Sequence, residues 1–324
     1  MGGKPSFPVQ PLPDDRIFVV TGGNAGIGYE MAKWCAMMGG KVVIACRSEV
    51  RARKAIEKMQ EEFQSEKGKG TKGLTENPKL AVEFMELDLA SFTSVLKFCD
   101  EFRKSGRKLH VLCCNAGICY SHGRKTEDGF EMMLQVNYLG HFVIIAKLLS
   151  TMRASGQDCR VIFTSSIAHD SGIFDLNTLQ YDEKFEKHPE LEYYSRSKLY
   201  QVMQTYEMAR RFKDSNITFN SLHPGLVDTE IFNEAESCFD RCCIGCVRKI
   251  GAMRTSLEGA TTGIELATNP KQKGVSGYYW VDCKQTMSSS TSRDAERQKE
   301  LWDKTLELIQ QYLTDAEKTG LEGK

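Results

Sequence analysis

Directly after the short apolar run RIFVV (residues 16–20) the chain reads TGGNAGIG, residues 21–28, with Gly22, Gly26 and Gly28 spaced G-x-x-x-G-x-G. Glycines let a backbone turn tightly and approach a diphosphate, which then rests on the positive N-terminus of the helix that follows. Here that helix is expected from about Gly26 to Met38. A strand that ends in such a turn and opens a helix restricts the fold more than any other feature of the sequence, because it demands a crossover back to the same sheet.

The rest of the chain supplies the crossovers. Further β-like runs occur at KVVIACR, LAVEFMEL, LHVLCCNA, CRVIFTSS, ITFNSLH and GYYWV, with helix-length amphipathic stretches between most of them. Strand alternating with helix predicts parallel pairing with right-handed connections, hence a single α/β domain built on a doubly wound, mainly parallel sheet flanked by helices. The reading assigns residues 1–15 to a flexible proline-rich leader, 16–313 to the domain, 226–255 to a lid over the ligand crevice and 314–324 to a tail. SEKGKGTKGLTENPK is a surface excursion, since the alternation resumes after it. Residues 293–312 read as one C-terminal amphipathic helix with Leu301, Trp302, Leu306 and Ile309 on its apolar side.

Composition narrows the classes of function. The 324 residues carry 43 basic and 43 acidic side chains, so no overall field draws in nucleic acid. At 41% hydrophobic the chain can bury a large core. Its twelve cysteines lie in a long chain whose first residues, MGGKPSFPVQPLPDD, hold no apolar signal segment, which predicts reduced thiols and a cytoplasmic setting. HFVIIAKLLS is too short to cross a membrane. His110, His122, His141, His169 and His188 show no metal-ligand spacing, so no metal is expected.

Residues with cofactor chemistry recur at successive strand ends. The glycine turn offers Gly22, Asn24, Gly26, Ile27 and Gly28; LDLAS after the third strand offers Asp88, a carboxylate for an adenine amino group, with Leu89; CNAG after the fourth offers Asn115, Ala116 and Gly117. The second strand ends in ACRS, where an enzyme selective for NAD would carry an acidic side chain. Arg47 suits a 2′-phosphate instead, because a guanidinium pairs with it bidentately and no carboxylate repels it, so the expected cofactor is NADPH/NADP+. In YYSRSK, Lys198 lies four residues after Tyr194 and five after Tyr193, so only Tyr194 shares its helical face. An ammonium beside a phenol favours the phenolate, which makes Tyr194 the candidate acid/base and Tyr193 a packing aromatic.

These motifs together resemble the short-chain dehydrogenase/reductase family over residues 16–313. TGGNAGIG, VVIACR, LDLAS, HVLCCNAG, TEDGFEMMLQVNYLGHF and GYYWVDCK look most like its retinol-dehydrogenase and WW-domain-oxidoreductase branch. Cys114 departs from the asparagine usual in the family, while Asn115 is retained. The resemblance implies a Rossmann-type fold. It implies Ser166, with Ser165 as its neighbour, as the hydroxyl that bonds the substrate oxygen, and Asn137 as an asparagine that holds a water in a proton relay. It also implies that Tyr194 and Lys198 touch the nicotinamide ribose, that Pro224, Gly225 and Thr229 close over the nicotinamide, and that subunits pair through the helices carrying Asn137 and Tyr194. The implied activity is hydride transfer between NADPH and a carbonyl or alcohol carbon of a small lipophilic substrate. The competing class is a dinucleotide-binding scaffold acting through protein partners, which has no chemical need for the Ser166, Tyr194 and Lys198 spacing.

Two features stand outside this scheme. MGGKPS fits N-myristoylation of Gly2, and CFDRCCIGCVRK clusters Cys238, Cys242, Cys243 and Cys246 beside basic residues. One acyl chain binds a membrane only marginally, so acylated cysteines would complete a peripheral anchor. A zinc site and plain lid packing are the other readings of the cluster.

Overall fold

The computed structural model describes residues 6–121, 123–179, 190–228 and 253–323. The strands are β1 (Ile17–Thr21), β2 (Lys41–Cys46), β3 (Val82–Glu86), β4 (Val111–Cys114), β5 (Cys159–Thr164), β6 (Ile217–His223), β7 (Tyr278–Val281) and β8 (Lys284–Thr286). They form one sheet in the order β3-β2-β1-β4-β5-β6-β7-β8. All pairs are parallel except β7 with β8. Val19 of β1 sits between Val43 of β2 and Leu112 of β4, so the strand order reverses at β1 and β4. In such a sheet a ligand crevice opens at the carboxyl ends of those two strands.

The helices are α1 (Gly26–Met37), α2 (Glu49–Gly68), α3 (Phe92–Lys104), α4 (Met132–Arg153), α5 (Glu190–Arg211), α6 (Ser256–Thr268), α7 (Ala295–Ile309) and α8 (Asp315–Leu321). Their starts are written locally. Ser48 and Ser91 cap α2 and α3 by accepting the N–H of Arg51 and Ser94, and Thr255 with Glu258 forms a capping box on α6. β1, β4 and β5 are buried on both faces, which explains their continuous apolar runs.

Helix α4 is long and apolar enough to cross a membrane, longer than the run expected from sequence, but 94% of its apolar window is buried inside the domain. Among the described residues it is the central core helix on one face of the sheet, with Phe142, Val143, Ile144 and Ile145 fully buried. Each such side chain contributes about 1.5–3 kcal/mol of burial.

Two expectations change. The leader is packed from Phe7 onward: Phe7 meets Trp34 edge-on at 5.3 Å, Leu12 is buried, and the Leu12 N–H donates to the Met38 carbonyl at 2.8 Å. Gly2 itself lies outside the described residues. The tail is not separate either. α8 docks on α4 through Lys147 to Glu317 at 2.7 Å, and Leu321 is buried.

Helix packing also bears on subunit pairing. Trp302 of α7 lies 5.0 Å from Phe142 of α4 and under Arg211 of α5, while Tyr138 and Thr305 share a hydrogen bond of 2.8 Å. The chain's own C-terminal helices thus pack against α4 and α5, the two helices through which the resemblance implies pairing. Sedimentation at micromolar concentration is expected to show a 36.5 kDa species. A dimer that persists there and is split by substitutions on α4 or α5 would contradict this.

Candidate active site

The glycine turn is shaped for an anion. Gly22 and Gly26 take φ of +66° and +55°, the left-handed region that other residues avoid. A Cβ on Gly28 would stand 2.4 Å from both the Gly22 carbonyl and Asn115 Nδ2, so only glycine lets α1 begin so close to β4. No side chain caps α1 and no acidic residue occupies its first turn, which leaves its N–H groups and dipole available. Asn24 and Ile27 are half-buried along this turn.

Asn115 braces the crevice. Its Nδ2 donates to the Thr21 carbonyl at 3.1 Å and its Oδ1 accepts from Thr164 Oγ1 at 3.3 Å, tying β1, β4 and β5 together at their ends. Thr21 Oγ1 accepts the N–H of Asn115 and of Ala116, both at 2.9 Å. Asp88 holds its own loop, with Oδ1 accepting the Ala90 N–H at 2.9 Å, and Leu89 is buried beside Gly140. Gly117 faces Asn137 Oδ1 and Lys198 Nζ.

At the end of β2, Arg47 is exposed and makes no ion pair among the described residues. Arg51, one turn into α2, was not singled out from the sequence; its charge and that of Arg47 both act on the Cys46 thiol. The two guanidiniums therefore flank one strand end, and no carboxylate from β2 intrudes.

Ser166, Tyr194 and Lys198 converge beyond β5. The Ser166 hydroxyl faces the Tyr194 phenol and favours its ionised form. Lys198 Nζ donates to the Thr164 carbonyl at 2.8 Å and to Gln201 Oε1 at 3.2 Å, and lies 5.5 Å from the centre of the Tyr194 ring. Ser165, by contrast, is locked away: its hydroxyl donates to the Lys198 carbonyl at 3.0 Å. Tyr193 is buried with the Arg196 guanidinium 5.7 Å over its ring, a packing role.

Burial dominates the protonation of this pair. It pushes the Tyr194 phenol well above its usual range, the Cys119 thiol adding to the effect and the Ser166 hydrogen bond opposing it. It also lowers the Lys198 ammonium to about 8. The phenol therefore rests protonated, and the ammonium alone does not lower it as expected.

Asn137 sits in a π-helical turn, Gln135–Leu139, within α4. Its side chain is fully engaged: Oδ1 accepts the Ile118 N–H at 2.9 Å, and Nδ2 donates to the Ile118 carbonyl and to Ser197 Oγ, each at 2.9 Å. Its carbonyl accepts Gln201 Nε2 at 2.6 Å and faces His141 Nδ1 at 3.3 Å. Each of these polar positions of Asn137 has a protein partner.

Further positioning groups were missed. His169 lies 2.7 Å from the Ser166 carbonyl through Nδ1 and accepts the Ser289 N–H at 3.2 Å, steadying the loop behind Ser166. The ends of the expected lid are clasped, since the Arg254 N–H donates to Leu226 O at 2.8 Å and the Asp228 N–H to Arg254 O at 3.0 Å. Arg254 also reaches the Pro224 carbonyl beside Gly225 and pairs with Asp282 in the turn between β7 and β8. Thr229 and Cys238, Cys242, Cys243 and Cys246 lie outside the described residues.

Comparison with known proteins gives the family. The short chain dehydrogenase family matches residues 16–178. Human polyprenol dehydrogenase is 34% identical over 312 residues, covering 94% of this chain and 87% of that protein. Mouse retinol dehydrogenase 14 is 35% identical over 302 residues, 93% of this chain and 86% of its own length. Among solved structures, an actinorhodin polyketide ketoreductase with NADPH superposes with a TM-score of 0.61 at 17% identity, covering 83% of this chain and 96% of that one, a likeness of fold.

Proposed function

This chain is an oxidoreductase of the short-chain dehydrogenase family, and from that premise we propose that it reduces or oxidises a lipophilic carbonyl/alcohol pair with NADP(H), using Tyr194 as acid/base. The observation that carries the proposal is the convergence of Ser166, Tyr194 and Lys198 at the end of β5, beside a glycine turn with an uncapped helix behind it. A carbonyl oxygen placed against Ser166 and Tyr194 meets two hydroxyl donors, which polarise it in reduction.

The residues present fit a nicotinamide dinucleotide. Gly22, Gly26 and Gly28 with the start of α1 would hold the diphosphate, Asp88 and Leu89 the adenine, and Arg47 the 2′-phosphate. Asn115, Ala116, Gly117, Pro224 and Gly225 would line the nicotinamide side, with Thr229 beyond them. Bound there, the cofactor supplies or accepts the hydride. Tyr194 then gives its phenolic proton to the substrate oxygen in reduction, or takes the hydroxyl proton in oxidation. Lys198 binds the nicotinamide ribose and favours the phenolate once the proton has left. Ser166 orients the oxygen, and Asn137 fixes the Ile118 backbone beside Gly117.

The substrate class rests on the relatives' names, retinol and polyprenol dehydrogenases, together with exposed Ile167 next to Ser166 and exposed Leu226 at the lid base. A peripheral membrane position, with lipidation of Gly2 and the 238–246 cysteines, belongs to the same proposal. NADPH consumption is to be measured with retinal, an isoprenoid aldehyde, alkyl aldehydes and steroid ketones. The result expected is turnover of at least one apolar aldehyde. NADPH binding with no turnover of any of them would instead support the scaffold reading.

A further inference from the structure

The Lys198 ammonium has three N–H groups to place in a fully buried setting. One goes to the Thr164 carbonyl and one to Gln201 Oε1. Lysine accepts nothing, so the Gln201 amide is oriented with its oxygen toward Lys198. Its Nε2 then faces the Asn137 carbonyl, an acceptor, at 2.6 Å. Both ends of the amide are satisfied in one orientation only, and Gln201 is wholly buried.

The bridge continues beyond Asn137. His141 lies 3.3 Å from the same carbonyl through Nδ1 and 2.9 Å from Thr21 Oγ1 through Nε2. Burial lowers the His141 imidazole to about 4, so it is neutral at ordinary pH. Thr21 Oγ1 accepts two backbone N–H groups and meets the Cys113 carbonyl at 3.2 Å as well as His141 Nε2 at 2.9 Å. A continuous set of buried side chains thus runs from the catalytic lysine to the residue that shapes the Asn115 turn. The other titratable groups acting on Lys198 and its neighbour are Cys119 and Tyr194.

We infer that Gln201 is a positioning residue for the reaction: its side-chain amide spans the gap between the Lys198 ammonium and the Asn137 carbonyl that a water would otherwise bridge, and so holds the lysine toward Tyr194. This rests on the proposed roles of Tyr194 and Lys198. Its consequence is that the lysine is held by a fixed dipole, not by an exchangeable solvent molecule.

The test compares Gln201→Leu, Gln201→Ala and Gln201→Glu with wild type. Leucine fills the space and keeps it dry, whereas alanine leaves room for water beside the Lys198 ammonium and the Asn137 carbonyl. If Gln201 acts through Lys198, the leucine variant loses more turnover, about tenfold or greater, and the alanine variant less. A purely packing role gives the opposite order, because alanine leaves the larger cavity.

A second readout needs no substrate. The titration of Lys198 in cofactor-free protein, followed by lysine ¹⁵N NMR and assigned with Lys198→Arg, is expected to move to lower pH in Gln201→Leu. It should move to higher pH in Gln201→Glu, where a carboxylate faces the ammonium. An unmoved Lys198 midpoint in both variants, or alanine more damaging than leucine to turnover, overturns the inference. Absence of turnover with every carbonyl tested would count against the catalytic reading alone, since the lysine titration still reports on Gln201.

Discussion

Replacing Tyr194 by phenylalanine is expected to lower kcat by about 10²- to 10⁴-fold, the usual worth of a positioned general acid/base, with NADPH affinity close to wild type. The substitution removes one hydroxyl and keeps the ring that packs near Lys198. That hydroxyl is the group facing Ser166, and burial keeps it protonated until a substrate oxygen can receive its proton. Tyr193→Phe, about 100° round the same helix, should change kcat little, since its ring is buried beneath Arg196. Steady-state kinetics and direct titration of NADPH decide the matter together. If Tyr193→Phe is the more damaging of the two, the acid/base assignment is wrong.

Arg47→Asp is expected to reverse the cofactor preference. The guanidinium stands at the exposed end of β2 without a carboxylate partner among the described residues, so a 2′-phosphate has no competitor for it. Losing a charge-assisted hydrogen bond costs about 1.5–3 kcal/mol, roughly a ten- to hundredfold loss with NADPH. The aspartate adds repulsion of the phosphate and offers an acceptor to the ribose hydroxyls of NADH. The ratio of kcat/KM for NADPH over NADH is the measurement. An unchanged ratio would remove Arg47 from the site, and Arg51, whose charge reaches the same strand end, would be the next residue to test.

The parts of this protein written in its sequence are those whose physics is local. TGGNAGIG announces a strand, a tight turn and an uncapped helix within eight residues, and the structure places β1, Gly22, Gly26 and α1 accordingly. All seven strands read from apolar runs are present; β1, β4 and β5 are buried on both faces and need continuous apolar sequence, whereas β3 is only partly buried. Tyr194 and Lys198 share a face because a helix repeats every 3.6 residues. The strand β8 was missed: KQT is polar and exposed, and its turn uses Asp282 and Cys283 at φ of 51° and 59°, without the glycine that signals such hairpins.

What the tertiary structure decided is the environment of these residues. Gln201 meets Asn137 across 64 positions of sequence, and His141 meets Thr21 across 120. No local pattern encodes either contact, since each depends on α4 and α5 packing on the sheet at one particular depth. The covering of α4 and α5 by α7 and α8 is of the same kind. An amphipathic helix announces that its apolar face will be buried, but hydrophobic attraction has no direction, so whether another subunit or the same chain buries it is settled only by which surface the folded chain brings within reach.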